Sequence, residues 1–173
     1  MCWVADPLNR DKNTGALVTI DYAHHEIHDG DMFKTTYNAD KSMGDNLDIL
    51  IVTPNTRVYP HIAWEIGNES EAQMYVYEGT TTSSNGTAVT VTNKDRNSLK
   101  TSGVLAFHTP TFGSVGTEIF NWHSGSGKGG GSGNREETEA ILKQNTKYLY
   151  RVNAVAAGWV AVRLTWYDHK NRT

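Results

Sequence analysis

The chain is divided into short lengths by its own turn residues. Runs rich in Val, Ile, Thr and aromatic residues recur along it, and each is stopped within a few positions by Gly, Asn or Pro. In order they are "ALVTIDYAHHEIH", "NLDILIVTPN", "VYPHIAWEIGNES", "EAQMYVYEGTT", "GTAVTVTNKDRN", "GVLAFHTPTF", "GTEIFNWHS", "KYLYRVNAV" and "WVAVRLTWYDH". Such segments at a spacing of roughly 8–12 residues predict an all-β fold, a sandwich or a barrel. The first of them alternates and is read as a strand. The stretch after it, "GDMFKTTYNADKSMGD", gathers Gly, Asn and Asp around a short aromatic segment and is read as turn and loop. Helical character is confined to "REETEAILK", where Glu136, Glu137 and Glu139 fit a single turn before the next strand.

The 173 residues suffice for one domain with its own core. Residues 1–15, with Trp3 and Pro7 and little β pattern, read as an extended N-terminal arm, and 16–173 as the β domain. The glycine-rich stretch between His123 and Asn134 is unsuited to a strand interior, because glycine there gives up packing and backbone entropy; a mobile loop is expected. It is not a phosphate loop, since Lys128 is followed by Gly129 where Ser or Thr would hold magnesium.

A formal charge of −3 supplies no uniform basic surface, so no direct nucleic-acid partner is expected. Cys2 is the one cysteine, which excludes an intramolecular disulfide and a CxxC metal knuckle. The first residues lack a basic region followed by an apolar run, and no apolar stretch is long enough to span a bilayer. Synthesis in the cytoplasm without membrane insertion is the expectation. The Met1-Cys2 pair lacks the apolar segment that precedes a lipoprotein cysteine.

The most unusual stretch is "DYAHHEIHDGD". On a strand, His24, Glu26 and His28 would share one face, with His25 and Ile27 on the other. Two imidazoles and a carboxylate make part of a metal site, for which His61, His108, His123 or His169 would have to supply a further ligand. The alternative is a polar interface face with ordinary hydrogen bonds, and this is the reading adopted, with no metal and no cofactor assigned. The spacing is not that of the helical zincin motif, whose second histidine falls one residue later. Ser83, Ser84, Ser124, Ser126 and Ser132 lie in loop-like sequence without the setting of a nucleophile elbow. Asp29 and Asp31 are explained by turn chemistry before glycoside hydrolysis. No catalytic residue is assigned, and the chain is read as a non-enzyme. Asn68, Asn85 and Asn171 match the Asn-X-Ser/Thr pattern and are read as surface turns.

Taken together, "LVTIDYAHHEIHDGD", "VTPNTRVYPHIAWEI", "MYVYEGTTTSSNGTAVTVTNKDRNS", "ILKQNTKYLYRV" and "LTWYDH", in that order over residues 16–169, resemble a group of tailed-bacteriophage virion proteins. These are small head decoration, or cement, proteins and other minor structural proteins. The resemblance implies a jelly-roll-like antiparallel β-sandwich with an extended arm, in which "ILKQNTKYLYRV" and "VRLTWYDH" give the last two strands. It further implies a homotrimer on the outer face of the capsid, with the major capsid protein as partner. The arm residues Trp3, Val4, Pro7 and Leu8 would then contact the capsid or a neighbouring subunit. Two rivals stand beside it: a tail or fibre component that binds a host receptor, and a cupin-like metalloenzyme built on the His24, Glu26 and His28 face.

Overall fold

The structure is a computed structural model that describes Thr14, residues 19–125 and residues 138–170. The arm residues Trp3, Val4, Pro7 and Leu8 lie outside the described residues, as does most of the glycine-rich stretch. Within the described residues the fold is an all-β antiparallel sandwich preceded by one short helix. The helix α1 spans Tyr22–His28, and the first four strands are β1 Met32–Lys41, β2 Asn46–Val52, β3 Val58–Asn68 and β4 Ala72–Glu78. An excursion follows, made of β5 Thr81–Ser84, β6 Thr87–Val89, β7 Thr92–Asn93, β8 Leu105–His108 and β9 Thr111–Ser114. The chain then returns through β10 Thr117–Ser124, β11 Ala140–Ile141, β12 Lys147–Ala154 and β13 Gly158–Lys170.

One sheet has the order β11-β3-β13-β1-β7 and the other β10-β4-β12-β2-β8-β6, with β5 and β9 paired separately. Alternation puts every second side chain between the sheets. Along β3 the buried residues are Pro60, Ile62, Trp64, Ile66 and Asn68, and along β4 they are Ala72, Met74 and Val76. These meet Leu47, Ile49 and Ile51 of β2, Tyr148, Tyr150 and Val152 of β12, and Val160, Val162, Leu164 and Trp166 of β13 in one cluster. Trp64 bridges the layers, with its ring 5.0 Å from Phe120 and 6.2 Å from Trp122.

Two fully buried residues, Leu50 and Leu149, stand outside that cluster on the opposite face of the six-stranded sheet. They pair in register, and the β5–β9 unit lies over this face. Phe112 of β9 sits under the Arg151 guanidinium, 5.2 Å from its ring centre, and Lys147 Nζ donates to Thr82 Oγ1 and Asn85 Oδ1. Arg151 is itself held by Asp48 through two bonds of 2.8 and 2.9 Å. The excursion thus forms a second, smaller core on the back of the sheet.

Several sequence expectations need correction. "GDMFKTTYNADKSMGD" is not a loop: it contains β1, a ten-residue strand seated between β13 and β7. Phe33, Thr35, Tyr37 and Ala39 pair with the apolar face of β13, while Lys34, Thr36, Asn38 and Asp40 take the other side, so pairing with β13 along the whole strand overrides weak intrinsic preference. "GTAVTVTNKDRN" is not one strand. It splits at Thr90 and Val91, with β6 joining β8 in one sheet and β7 joining β1 in the other. "GVLAFHTPTF" likewise breaks at Thr109, whose φ of 54° turns the chain just before Pro110. Asn68 is no surface turn: it is 5% exposed at the end of β3, donating to the Ser70 carbonyl and accepting from Ser124 Oγ.

Candidate functional site

The histidine-rich stretch is helical, which overturns its reading as a strand. Asp21 caps the N-terminus by accepting the His24 N–H at 3.1 Å. The C-terminus closes on Gly30 with φ +72°: its N–H bonds the Ile27 carbonyl and the Asp31 N–H bonds the Glu26 carbonyl, the paired bonds of a Schellman ending. A Cβ at Gly30 would fall 2.3 Å from Ser98 Oγ, so this turn is packed against the loop after β7 as well as left-handed.

The helical turn redistributes the three predicted residues. His24 and His28, four apart, meet with their Nε2 atoms 3.1 Å apart and their rings 4.9 Å apart, both exposed. That contact needs one ring as donor and the other as acceptor. Glu26 points away from them and is 8% exposed. The three therefore do not share a face. Of the proposed further ligands, His61 and His169 lie together with ring centres 5.3 Å apart, while His108 and His123 stand elsewhere. His61 bonds Glu139 Oε1 and Tyr167 Oη, and His108 stacks on Tyr37 at 4.2 Å. His123 pairs with Glu71, and His169 contacts the Tyr22 hydroxyl. Among the described residues no group of three or more His, Cys, Asp and Glu side chains is placed to hold a metal ion.

What the helix does build is one wall of a cleft of about 600 Å³ at the end of the sandwich. Tyr22, Glu26 and Asp29 come from α1, Asp31 from the link to β1, Lys100 and Gly103 from the loop before β8, and Asp168 and His169 from the end of β13. Lys100 Nζ donates to Asp31 Oδ2 and to the Asp29 carbonyl, each at 2.8 Å. Both partners are substantially exposed, so the bond is weak in stability terms. Its effect is to tie the loop to the chain leaving the helix.

Asp168 carries the strongest electrostatic signal in this cleft. Burial pushes its carboxyl up to about 6, against hydrogen bonds from Ser102 and the Gly103 N–H that favour the charge, with Asp31 raising it further. Its Oδ2 accepts from Ser102 Oγ at 3.0 Å, while Oδ1 is buried with no hydrogen-bond partner. Ser102 Oγ in turn accepts from Trp166 Nε1 at 3.0 Å and from the Val104 N–H at 3.1 Å. One carboxyl oxygen is thus held by the loop before β8, while the Asp168 N–H bonds the Asp31 carbonyl at 3.1 Å, so the residue acts as a latch joining β13, that loop and the chain just before β1.

Sequence reasoning did not single out Asp168, Ser102 or Lys100. One signal was available: Asp168 continues the parity of Val160, Val162, Leu164 and Trp166, an acidic residue in an inward position. No family model matches this chain, and no curated protein matches it either.

Proposed function

We propose that the protein is a contact-making component of a tailed-phage virion, a capsid decoration protein that binds the outer face of the head as a homotrimer and joins neighbouring major capsid subunits. The observation that carries this reading is the chain path. Taking β1, β2, β3, β4, β10, β11, β12 and β13 alone, one sheet runs β1-β13-β3-β11 and the other β2-β12-β4-β10. That alternation between sheets supports the jelly-roll reading, an architecture used by viral capsid domains as well as by lectins and cupins. Fold alone does not separate these, and the choice among them follows the resemblance of residues 16–169 to virion proteins. The latch at Asp168 favours a structural protein, as does a β5–β9 excursion spent on thickening one sheet. A cement protein acts by binding the assembled shell and not its separated subunits, which stabilises the shell by mass action.

The test is density for this chain on purified particles of the phage that encodes it. Trimeric density over the outer capsid face is the expected result. Density on the tail would move the protein to the receptor-binding alternative, and absence from the particle would end the virion reading.

A further inference from the structure

The outer face of the five-stranded sheet carries an exposed indole on a central strand. Trp159 of β13 is 41% exposed, although β13 is flanked by β3 and β1 on its two sides. The ring lies beside Gly67 of β3, where a Cβ would come within 3.1 Å of Trp159 Cζ3 and 3.4 Å of Cη2. Gly67 pairs in register with Ala161, so the indole rests over Gly67 and the small Ala161 side chain leaves a flat floor next to it. One register step further, Arg163 pairs with Glu65, and Arg163 Nη1 donates to Glu65 Oε2 at 2.9 Å. Together with Thr36 these residues line a groove of about 410 Å³.

The parts differ in chemistry in a way that selects a ligand. The indole and the floor are flat and apolar, suited to a face of C–H bonds. The opposite wall holds a guanidinium and a carboxylate side by side, both about half-exposed, where the pair contributes little to stability. A donor and an acceptor fixed next to each other match two adjacent hydroxyl groups, each of which can donate and accept. A phosphate would meet Glu65 and an ammonium would meet Arg163, so the pair disfavours either charge. The volume lies in the range of small-ligand grooves, which combine apolar walls with a few placed polar groups.

We propose that the Trp159 groove binds one uncharged pyranose unit of a saccharide, with the sugar ring stacked on the indole and neighbouring hydroxyls held by Arg163 and Glu65. This inference rests on the sheet face alone and stands or falls separately from the virion reading. The experiment is a nitrogen-proton correlation titration of the full chain with methyl glucoside, methyl mannoside, methyl galactoside and methyl N-acetylglucosaminide, and with a trisaccharide of each. The expected result is saturable shifts at the Trp159 indole and at the Gly67 and Arg163 amides with at least one series, at millimolar affinity. Trp159→Ala should weaken that binding at least tenfold, Glu65→Gln should weaken it severalfold, and Gly67→Val should abolish it by displacing the indole from its seat. Glu65 is an exposed side chain, so its variant keeps the test valid if either of the other two fails to fold. No shift with any of the eight probes overturns the proposal, as does binding that survives in Glu65→Gln and Trp159→Ala alike. Loss of capsid occupancy in Trp159→Ala without saccharide binding by the wild type also overturns it, and makes the groove a protein contact.

Discussion

Asp168 occupies an inward position on β13, next in parity to Trp166, and yet carries an ionisable group. Its pKa is raised from 3.8 to about 6, so the folded chain holds the proton more tightly than the unfolded one. The stability this contributes is complete below the unfolded value and is lost as the pH rises through about 6. Asp168→Asn keeps an acceptor for Ser102 and removes the titration. Denaturant melts at steps across this window should show a falling limb in the wild type that is reduced in the variant; equal slopes would assign the limb to another group. Gly30 makes the second residue-scale prediction. With φ at +72° and Ser98 Oγ 2.3 Å from a notional Cβ, Gly30→Ala should cost about 1–3 kcal/mol in chemical denaturation. The glycine itself was legible as a turn residue, whereas the contact with Ser98, distant in sequence, was not.

At the scale of elements, α1 shows how a short segment escapes pattern reading. "DYAHHEIHDG" contains a capping aspartate and a terminating glycine, but its alternation of residue types is as good as a strand's, and seven residues give too little length to separate the periods. What decides is that its backbone groups are satisfied by the Asp21 cap and the Gly30 ending. The β5–β9 unit is a different case, since it depends on the sheet beneath it. Phe112→Ala removes the ring under Arg151 and should raise hydrogen exchange in β5 and β9 while the β2–β12 ladder stays protected. Leu149→Ala, in contrast, opens a void on the back of a central strand and should cost about 2–5 kcal/mol globally. If both variants exchange alike, the excursion and the sandwich unfold as one unit.

For the molecule as a whole, the edges of the sheets bear on how it can associate. The five-stranded sheet ends on β11 and β7, two residues each, and the six-stranded sheet ends on β6, three residues, and on β10. Among the described residues β10 is the one long edge, and its register shifts between Glu118 and Phe120, leaving Ile119 unpaired in the ladder and 47% exposed. Short or bulged edges resist strand-to-strand addition. The proposed trimer would therefore associate by loops and side-chain contacts, which suit a closed assembly better than a filament. Light scattering at micromolar concentration should give a mass about three times that of the chain; a sharp monomer mass would remove the trimer from the proposal.

The recurrence of short β-branched and aromatic runs by itself determined the all-β class, because such runs bury one face only when stacked against another sheet. It also placed β2, β3, β4, β10, β12 and β13, whose pairing partners share their alternation. Tertiary structure alone decided β1, which carries Asn, Asp and Lys and becomes a strand because β13 pairs with it along its whole length, with β7 adding a short pairing at Phe33 and Lys34. The same holds for the division of one β-branched run between two sheets, for the second core under Phe112, and for the meeting of Asp168 with Ser102 across 66 positions of sequence. Hydrophobic periodicity is local and survives in the sequence; which polar group is buried beside which depends on the path of the chain, and that is fixed when the sheets close over each other.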